Sequence, residues 1–300
     1  MEALMEKIQE SARKMVEEVC RVTAGERVLI ITNRVVERSR IVWNKLEYSL
    51  EVAQTEVISQ ALHDACLAVG ACPVVVVQPP KTSLDAADKA VLAALATEPS
   101  VCFSISHNML GKDAGAIVQP YQDAEGNSFD HIFDYLLYGK KVMRSVWTPG
   151  VTLEMFARTV DIDYGQLQER CRRLCELYEN VVTVEVTAPA GTDLVIPVAG
   201  RRPFRDDGDF SRPGTGGNIP AGEVFISPVV GNGTDTGCAG RIVFDGSMSV
   251  AGGCVAIQEP ILVEVVGGFV TSISGGPEAE QLRDTITNAE EEAKAMGADG

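Results

Sequence analysis

The run Arg27-Val28-Leu29-Ile30-Ile31-Thr32 sets five apolar or β-branched residues behind one arginine with no polar alternation, as expected of a parallel strand covered on both faces. Before it, residues 2 to 22 place Leu4, Ile8, Ala12, Met15, Val16 and Val19 among Glu, Lys and Arg at spacings of three and four. That is the mark of an amphipathic helix, and Ala24-Gly25-Glu26 ends it. The alternation then repeats. A helix is predicted at about 51 to 69, stopped by Gly70-Ala71, then a strand Cys72 to Val77, a helix Ser83 to Ala96 and a strand Val101 to Ile105. A helical stretch near Phe129 to Tyr138 and a strand Lys141 to Val146 follow. Short apolar strands separated by helices imply βαβ units and a mainly parallel, Rossmann-like sheet.

The pattern changes after a charged helix, Tyr164 to Glu179, which carries Leu167, Cys171, Leu174, Cys175 and Tyr178. From Val181 the sequence alternates with period two, and further β runs stand at 192 to 198, 223 to 230, 241 to 244, 254 to 257, 261 to 266 and 269 to 273, punctuated by Gly, Pro, Asn and Asp. An acidic amphipathic helix, Glu278 to Met296, closes the chain with Leu282, Ile286, Ala289 and Ala293 on one face. The fold class expected is α/β, with a Rossmann-like parallel-sheet domain at 1–180 and a β-rich α+β domain at 181–300. Arg201 to Gly217, crowded with Arg, Asp, Gly and Pro, reads as an exposed connection ahead of Asn218.

Composition narrows the function. A net charge of −16 and a pI near 4.7 disfavour nucleic acid, which requires concentrated Lys and Arg. The N-terminus has no basic start or apolar core of a signal peptide and no run reaches a membrane span, so a cytoplasmic protein is expected. Eight scattered cysteines fit reduced, mostly buried thiols. Cys171 and Cys175, four apart on a helix, read as part of a buried stripe rather than as metal ligands. A dinucleotide site would need a glycine-rich first turn, and Thr32-Asn33-Arg34-Val35-Val36-Glu37 has no glycine. No cofactor-binding residues of that kind are expected. His63 falls inside a predicted helix, His131 lies beside Asp130 and Asp134 as a surface residue, and His107 follows a strand at the edge where α/β ligands bind. Tyr121, Asp123 and Glu125 carry no assigned role.

Asn218-Ile219-Pro220-Ala221-Gly222-Glu223-Val224-Phe225 sets one carboxylate between a glycine-rich loop and a β run. Together with Gly191-Thr192-Asp193-Leu194, Gly233-Thr234, Gly267-Gly268-Phe269-Val270 and, earlier, Pro149 to Met155 and Asp161 to Tyr164, it resembles the aminopeptidase T family, thermophilic-type metallopeptidases with a two-metal centre. The resemblance covers most of the chain. It implies a metal-dependent hydrolase acting on N-terminal residues of peptides, a homodimer meeting through β-rich halves, and a divalent metal (zinc, cobalt or magnesium) with Glu223 as a ligand. No catalytic residue is assigned. The family's remaining ligands follow a helix like 278 to 296, and no histidine lies beyond His131. The expectation is therefore an incomplete metal-site domain, from a truncated product or a relative without peptidase chemistry. Two alternatives stand beside it: a dihydroxypyridine dioxygenase-like enzyme on the same fold using one iron, and a non-catalytic binding or assembly module.

Overall fold

The computed structural model describes residues 2–33, 43–79, 81, 85–105, 110–250 and 253–295. By contacts the chain divides into a first unit, Met1–Arg173 with Arg205–Glu223, and a second, Leu174–Phe204 with Val224–Gly300. Arg205–Glu223 thus packs with the first unit, although it lies beyond residue 180, where composition alone draws the boundary.

In the first unit the chain runs α1 (Glu2–Lys14), a π-turn Met15–Val19, β1 (Arg27–Asn33), α2 (Trp43–Ala68), β2 (Cys72–Gln78), α3 (Lys89–Leu95) and β3 (Val101–Ile105). It continues through α4 (Ala114–Val118), the hairpin β4 (Tyr121–Gln122) and β5 (Ser128–Phe129), α5 (Ile132–Asp134), a π-turn Tyr135–Gly139, β6 (Arg144–Trp147), α6 (Leu153–Thr159) and α7 (Tyr164–Leu177). Around the 129–138 stretch, where a helix is expected, Phe129 ends a strand and the helical turns begin at Ile132. Phe129 pairs with Tyr121 in the β4–β5 hairpin instead. The sixth strand likewise starts at Arg144, three residues later than the apolar run suggests. The expected turn at 34–37 and His107 lie outside the described residues.

The strands order as β2-β1-β3-β6, all parallel, with Ile30 opposite Phe103 and Phe103 opposite Val146. Because successive side chains of a strand point to opposite faces, β1 and β3 each feed two cores. Val28 and Ile30, with Val101, Phe103 and Ile105, pack with Ile8, Met15, Leu62 and Phe156 on one face. Leu29, Ile31 and Cys102 pack with Val91, Leu95, Leu136 and Met143 on the other. This two-sided burial is why β1 and β3 read as continuous apolar runs. Arg144, 5% exposed, is held by a bidentate pair to Glu26 at 2.9 and 2.8 Å. It ties the start of β6 to the residue just ahead of β1 and holds the Glu26 carboxyl below its usual range. Burial pushes the Cys66 and Cys102 thiols up to about 12, so neither is a poised nucleophile.

The second unit holds β7 (Thr183–Thr187), β8 (Asp193–Pro197), β12 (Ala239–Phe244), β15 (Ile261–Val266) and β16 (Phe269–Ser274), ordered β16-β15-β12-β8-β7 and antiparallel. Between them in sequence come β9 (Pro203–Asp206), β10 (Gly216–Asn218), β11 (Glu223–Ile226) and the hairpin β13 (Ser247–Val250) with β14 (Gly253–Ala256). β9 pairs with β11, while β10 joins the parallel sheet of the first unit beside β6. The connection at 201–217, expected to be exposed, is thereby built into that unit: Asp207 and Phe210 are buried, and Phe210 donates its amide to the Val19 carbonyl. The closing helix α8 (Pro277–Ala295) packs Ala279 and Leu282 against Leu194, Ile261, Val263 and Val265, whereas Ala289 of the expected apolar face is exposed. Among the described residues no helix is long and apolar enough to cross a membrane. The architecture is α/β, with one parallel five-stranded sheet and antiparallel sheets.

Candidate functional site

Glu223 opens β11 and is exposed. Five residues ahead of it, Asn218 ends β10, and its amide donates to Asp206 Oδ2 at 3.2 Å. Gly222 returns an amide to the Asp206 carbonyl at 2.8 Å. Ile219, fully buried, donates its amide to the Trp147 carbonyl at 3.0 Å. The segment is thus pinned between a sheet strand and Asp206, so the backbone leading into Glu223 is fixed by hydrogen bonds.

Asp206, Asn218, Pro220, Ala221, Gly222 and Glu223 line a cavity of about 250 Å³. Asp206 Oδ1 is buried with no hydrogen-bond partner among the described residues. Burial, with the Asn218 and Gly208 amides opposing it and the charges of Glu223 and Asp207 adding to it, lifts the Asp206 carboxyl to about 6. A carboxyl held up in this way, with one buried oxygen free of any partner among the described residues, can hold a proton or accept a cation. Asp206 is a residue that sequence reasoning did not single out. Its signal was the acidic cluster Asp206-Asp207-Gly208-Asp209, hidden inside a segment read as a connection.

A metal is the group the sequence resemblance implies here. Fixed metal sites generally use three or more protein ligands, and among the described residues no group of three or more His, Cys, Asp or Glu converges to hold an ion. Asp206 and Glu223 supply two carboxylates, so the described residues do not fit a complete centre.

A larger cavity, about 500 Å³, opens at the carboxyl ends of β3, β6 and β10, where Ser104, Trp147 and Asn218 line it. Ligands of open α/β sheets bind at that edge. His131 also lines it and, contrary to the surface position expected, is 8% exposed. It caps α5, its Nδ1 accepting the Phe133 amide at 3.0 Å. His63, in α2, has Nδ1 3.2 Å from Asp64 Oδ1 and is remote in sequence from either cavity lining. Asp123, with Glu125 and Asn127, closes the β4–β5 turn: its Oδ1 accepts both their amides, a structural role. Tyr121 stacks on Tyr135.

Comparison with known proteins adds the family. The structure is similar to 2,5-dihydroxypyridine dioxygenase from Pseudomonas putida KT2440, with a TM-score of 0.63 and 18% identity, covering 93% of this chain and 71% of that one. It is also similar to wild-type AmpT from Thermus thermophilus, with a TM-score of 0.56 and 14% identity, covering 93% of this chain and 74% of that one. At such identities these likenesses speak for the fold, and the aminopeptidase T resemblance read from sequence stands as distant structural similarity. No curated protein gives a significant sequence match. The family model for NicX, described as 2,5-dihydroxypyridine 5,6-dioxygenase, matches residues 136–297, more than half of the 300. The second of the two enzyme families raised by the sequence is therefore the one whose model matches, and the chain belongs to the NicX family.

Proposed function

We propose that the protein is a metal-dependent enzyme of the dihydroxypyridine dioxygenase type, opening a small hydroxylated heteroaromatic ring with both atoms of one oxygen molecule. The observation that carries this reading is the family match over 136–297, which takes in Asp206, the Asn218–Glu223 segment and the whole β-rich part of the chain. In this reading a Rossmann-like domain at 1–180 precedes a β-rich α+β domain at 181–300. Glu223 is one ligand of a divalent metal, iron for this reaction, and Asp206 stands beside it as proton holder. The protein is cytoplasmic and works as a homodimer on a small-molecule substrate, without nucleic acid or membrane partners.

The aminopeptidase reading keeps one specific support. The chain aligns with AmpT over 93% of its length, and the Asn-x-Pro-x-Gly-Glu segment that suggested it sets Glu223 at a strand start with its backbone pinned. In that case the metal is zinc, cobalt or magnesium and the substrate a peptide N-terminus. A non-catalytic binding role is the third outcome.

One assay separates them. The protein is loaded anaerobically with ferrous iron and mixed with 2,5-dihydroxypyridine and oxygen, and separately loaded with cobalt or zinc and mixed with a leucyl peptide. Oxygen uptake equimolar with loss of the ring's ultraviolet absorbance, reduced at least ~100-fold by Glu223→Gln on the scale of a lost electrostatic group at an active site, is the expected result. Leucine release with no oxygen uptake would transfer the assignment to the peptidase. Neither activity, with metal binding unchanged by Glu223→Gln, would leave a binding module.

A further inference from the structure

The larger cavity of the first unit has no part in that reading, and most of its lining precedes residue 136, where the family match begins. Its volume of about 500 Å³ falls in the range that encloses a small organic molecule. What it would take follows from the charges it presents and from the walls around them.

Asp113, Asp130 and Asp134 line the cavity against one cation, the exposed Lys112. Asp113 has a structural role: it is buried, and its two oxygens accept the Ala116 and Ile132 amides at 3.2 and 3.3 Å. Asp134 does not. It is partly exposed, its carboxylate takes no hydrogen bond among the described residues, and neither of its oxygens is closed off from solvent. Burial raises its carboxyl above the ordinary value, with His131 opposing and the Asp130 charge adding to it. Asp130, four residues earlier, is exposed. Half-burying a carboxylate without a partner is unfavourable, and a positive charge brought in by a ligand removes that penalty.

The walls point the same way. Phe133, Tyr138 and Trp147 supply three aromatic side chains, whose ring faces attract a cation while their bulk covers an apolar body. A carboxylate or phosphate ligand would meet net repulsion, and a neutral one would leave the Asp134 carboxylate unanswered. A bare metal ion needs three or more converging ligands, and no such group of His, Cys, Asp or Glu is present among the described residues. The net charge of −16 adds a general attraction for cations.

We infer that this cavity binds an organic cation, a protonated amine carried on a small apolar body, with its ammonium at the Asp130 and Asp134 carboxylates and its body against the aromatic side chains. It is a site separate from the Asp206–Glu223 pair, although Asn218 borders both cavities. The inference does not rest on the activity proposed above.

The test is calorimetric titration of the purified full chain, near neutral pH, with phenethylamine, phenethyl alcohol and phenylpropionate. The three share a phenyl ring on a two-carbon arm and end in an ammonium, a hydroxyl and a carboxylate. One phenethylamine per chain, bound in the millimolar range or tighter and at least ~10-fold better than either of the others, is expected. Asp134→Asn and Asp130→Asn each keep the size of the side chain and remove its charge, and each should weaken binding ~5-fold with the circular dichroism unchanged. Ile117→Trp fills the cavity from an exposed position and should weaken binding ~10-fold or more. Glu223→Gln should leave phenethylamine binding as it is, which separates this site from the proposed catalytic one. No binding at the solubility limit, equal binding of the alcohol or the carboxylate, binding unchanged in both carboxamide variants, or binding lost with Glu223→Gln would each overturn the inference.

Discussion

β3 in the first unit is buried at all five positions, whereas β7 in the second, also of five residues, has no buried position. The two sheets thus solve different problems. The central strands of the parallel sheet are buried on both faces, although β2 leaves Val74, Val75 and Val77 exposed, and the stability of that centre is carried by apolar volume. The antiparallel sheet of the second unit buries alternate positions, as β15 does at Ile261, Val263 and Val265. Its order depends more on how closely its turns bring backbone to backbone. The first unit should therefore be sensitive to cavities and the second to added atoms.

The largest effect should come from matched truncations. Leu29, 2% exposed in β1, and Leu194, 9% exposed in β8, can each be cut to Ala. Leu29→Ala is expected to cost about 4 kcal/mol and Leu194→Ala about 2 kcal/mol, the two ends of the range set by how far the surroundings collapse. Both tryptophans, Trp43 and Trp147, belong to the first unit. Fluorescence therefore follows that unit in urea titration while circular dichroism follows both. Equal losses for the two variants would mean that the second unit is as tightly filled as the first.

A glycine pair reverses the ranking. A Cβ on Gly231 would collide with the Gly267 carbonyl oxygen, backbone against backbone beside the Gly267-Gly268 turn, where Gly267 and Gly268 both have positive φ. Gly25 also has positive φ, +81°, but a Cβ there meets nothing within 4 Å. Gly231→Ala should cost about 3 kcal/mol through forced backbone displacement, and Gly25→Ala about 1 kcal/mol through conformation alone. Thermal unfolding of the two variants checks the difference. A Gly231→Ala protein as stable as wild type would show that the close approach is not needed.

The same contrast explains what could be read from sequence. β1 and β3 were legible because burial on both faces writes itself as an unbroken apolar run, and β15 because it alternates. β10, Gly216-Gly217-Asn218, carries no apolar period at all. It joins the sheet edge by backbone pairing, with Gly216 opposite Ser145 and Asn218 opposite Trp147, so nothing in its side chains announced a strand. Its pairing drew Asp206 and the residues around it into the first unit. His131 was misread for a related reason: flanking aspartates suggest solvent, whereas the backbone amide of Phe133 and the burial of Ile132 hold the ring inside. Glu223 was singled out by the family resemblance of the Asn-x-Pro-x-Gly-Glu segment, since a lone Glu at a strand start otherwise reads as a solvated edge residue. Its partner Asp206, seventeen residues earlier, is brought close only by the fold.

The smallest expected effect is also the most specific to the candidate site. Asp206 is held up to about 6 in the folded protein, against about 3.9 in an unfolded chain. The folded state therefore holds this proton more tightly, and the wild type loses stability as pH rises from about 4 to about 6. Asp206→Asn removes the charge that burial penalises while leaving an acceptor for the Asn218 amide. It should come closest to the wild type near pH 3, where the carboxyl is largely protonated in both states, and gain about 1 kcal/mol at pH 8, the shift being discounted for partial solvent exposure. Glu223→Gln should act through the same linkage more weakly, drawing the Asp206 midpoint down because one neighbouring negative charge is gone. Urea denaturation at pH 4.5, 6 and 8 follows the first effect, and carboxyl carbon chemical shifts against pH follow the second. A gain from Asp206→Asn that stays constant with pH would detach it from ionisation. An Asp206 midpoint unmoved by Glu223→Gln would mean that the two carboxylates do not sense one another, and the pair could not then act as a shared proton or cation site.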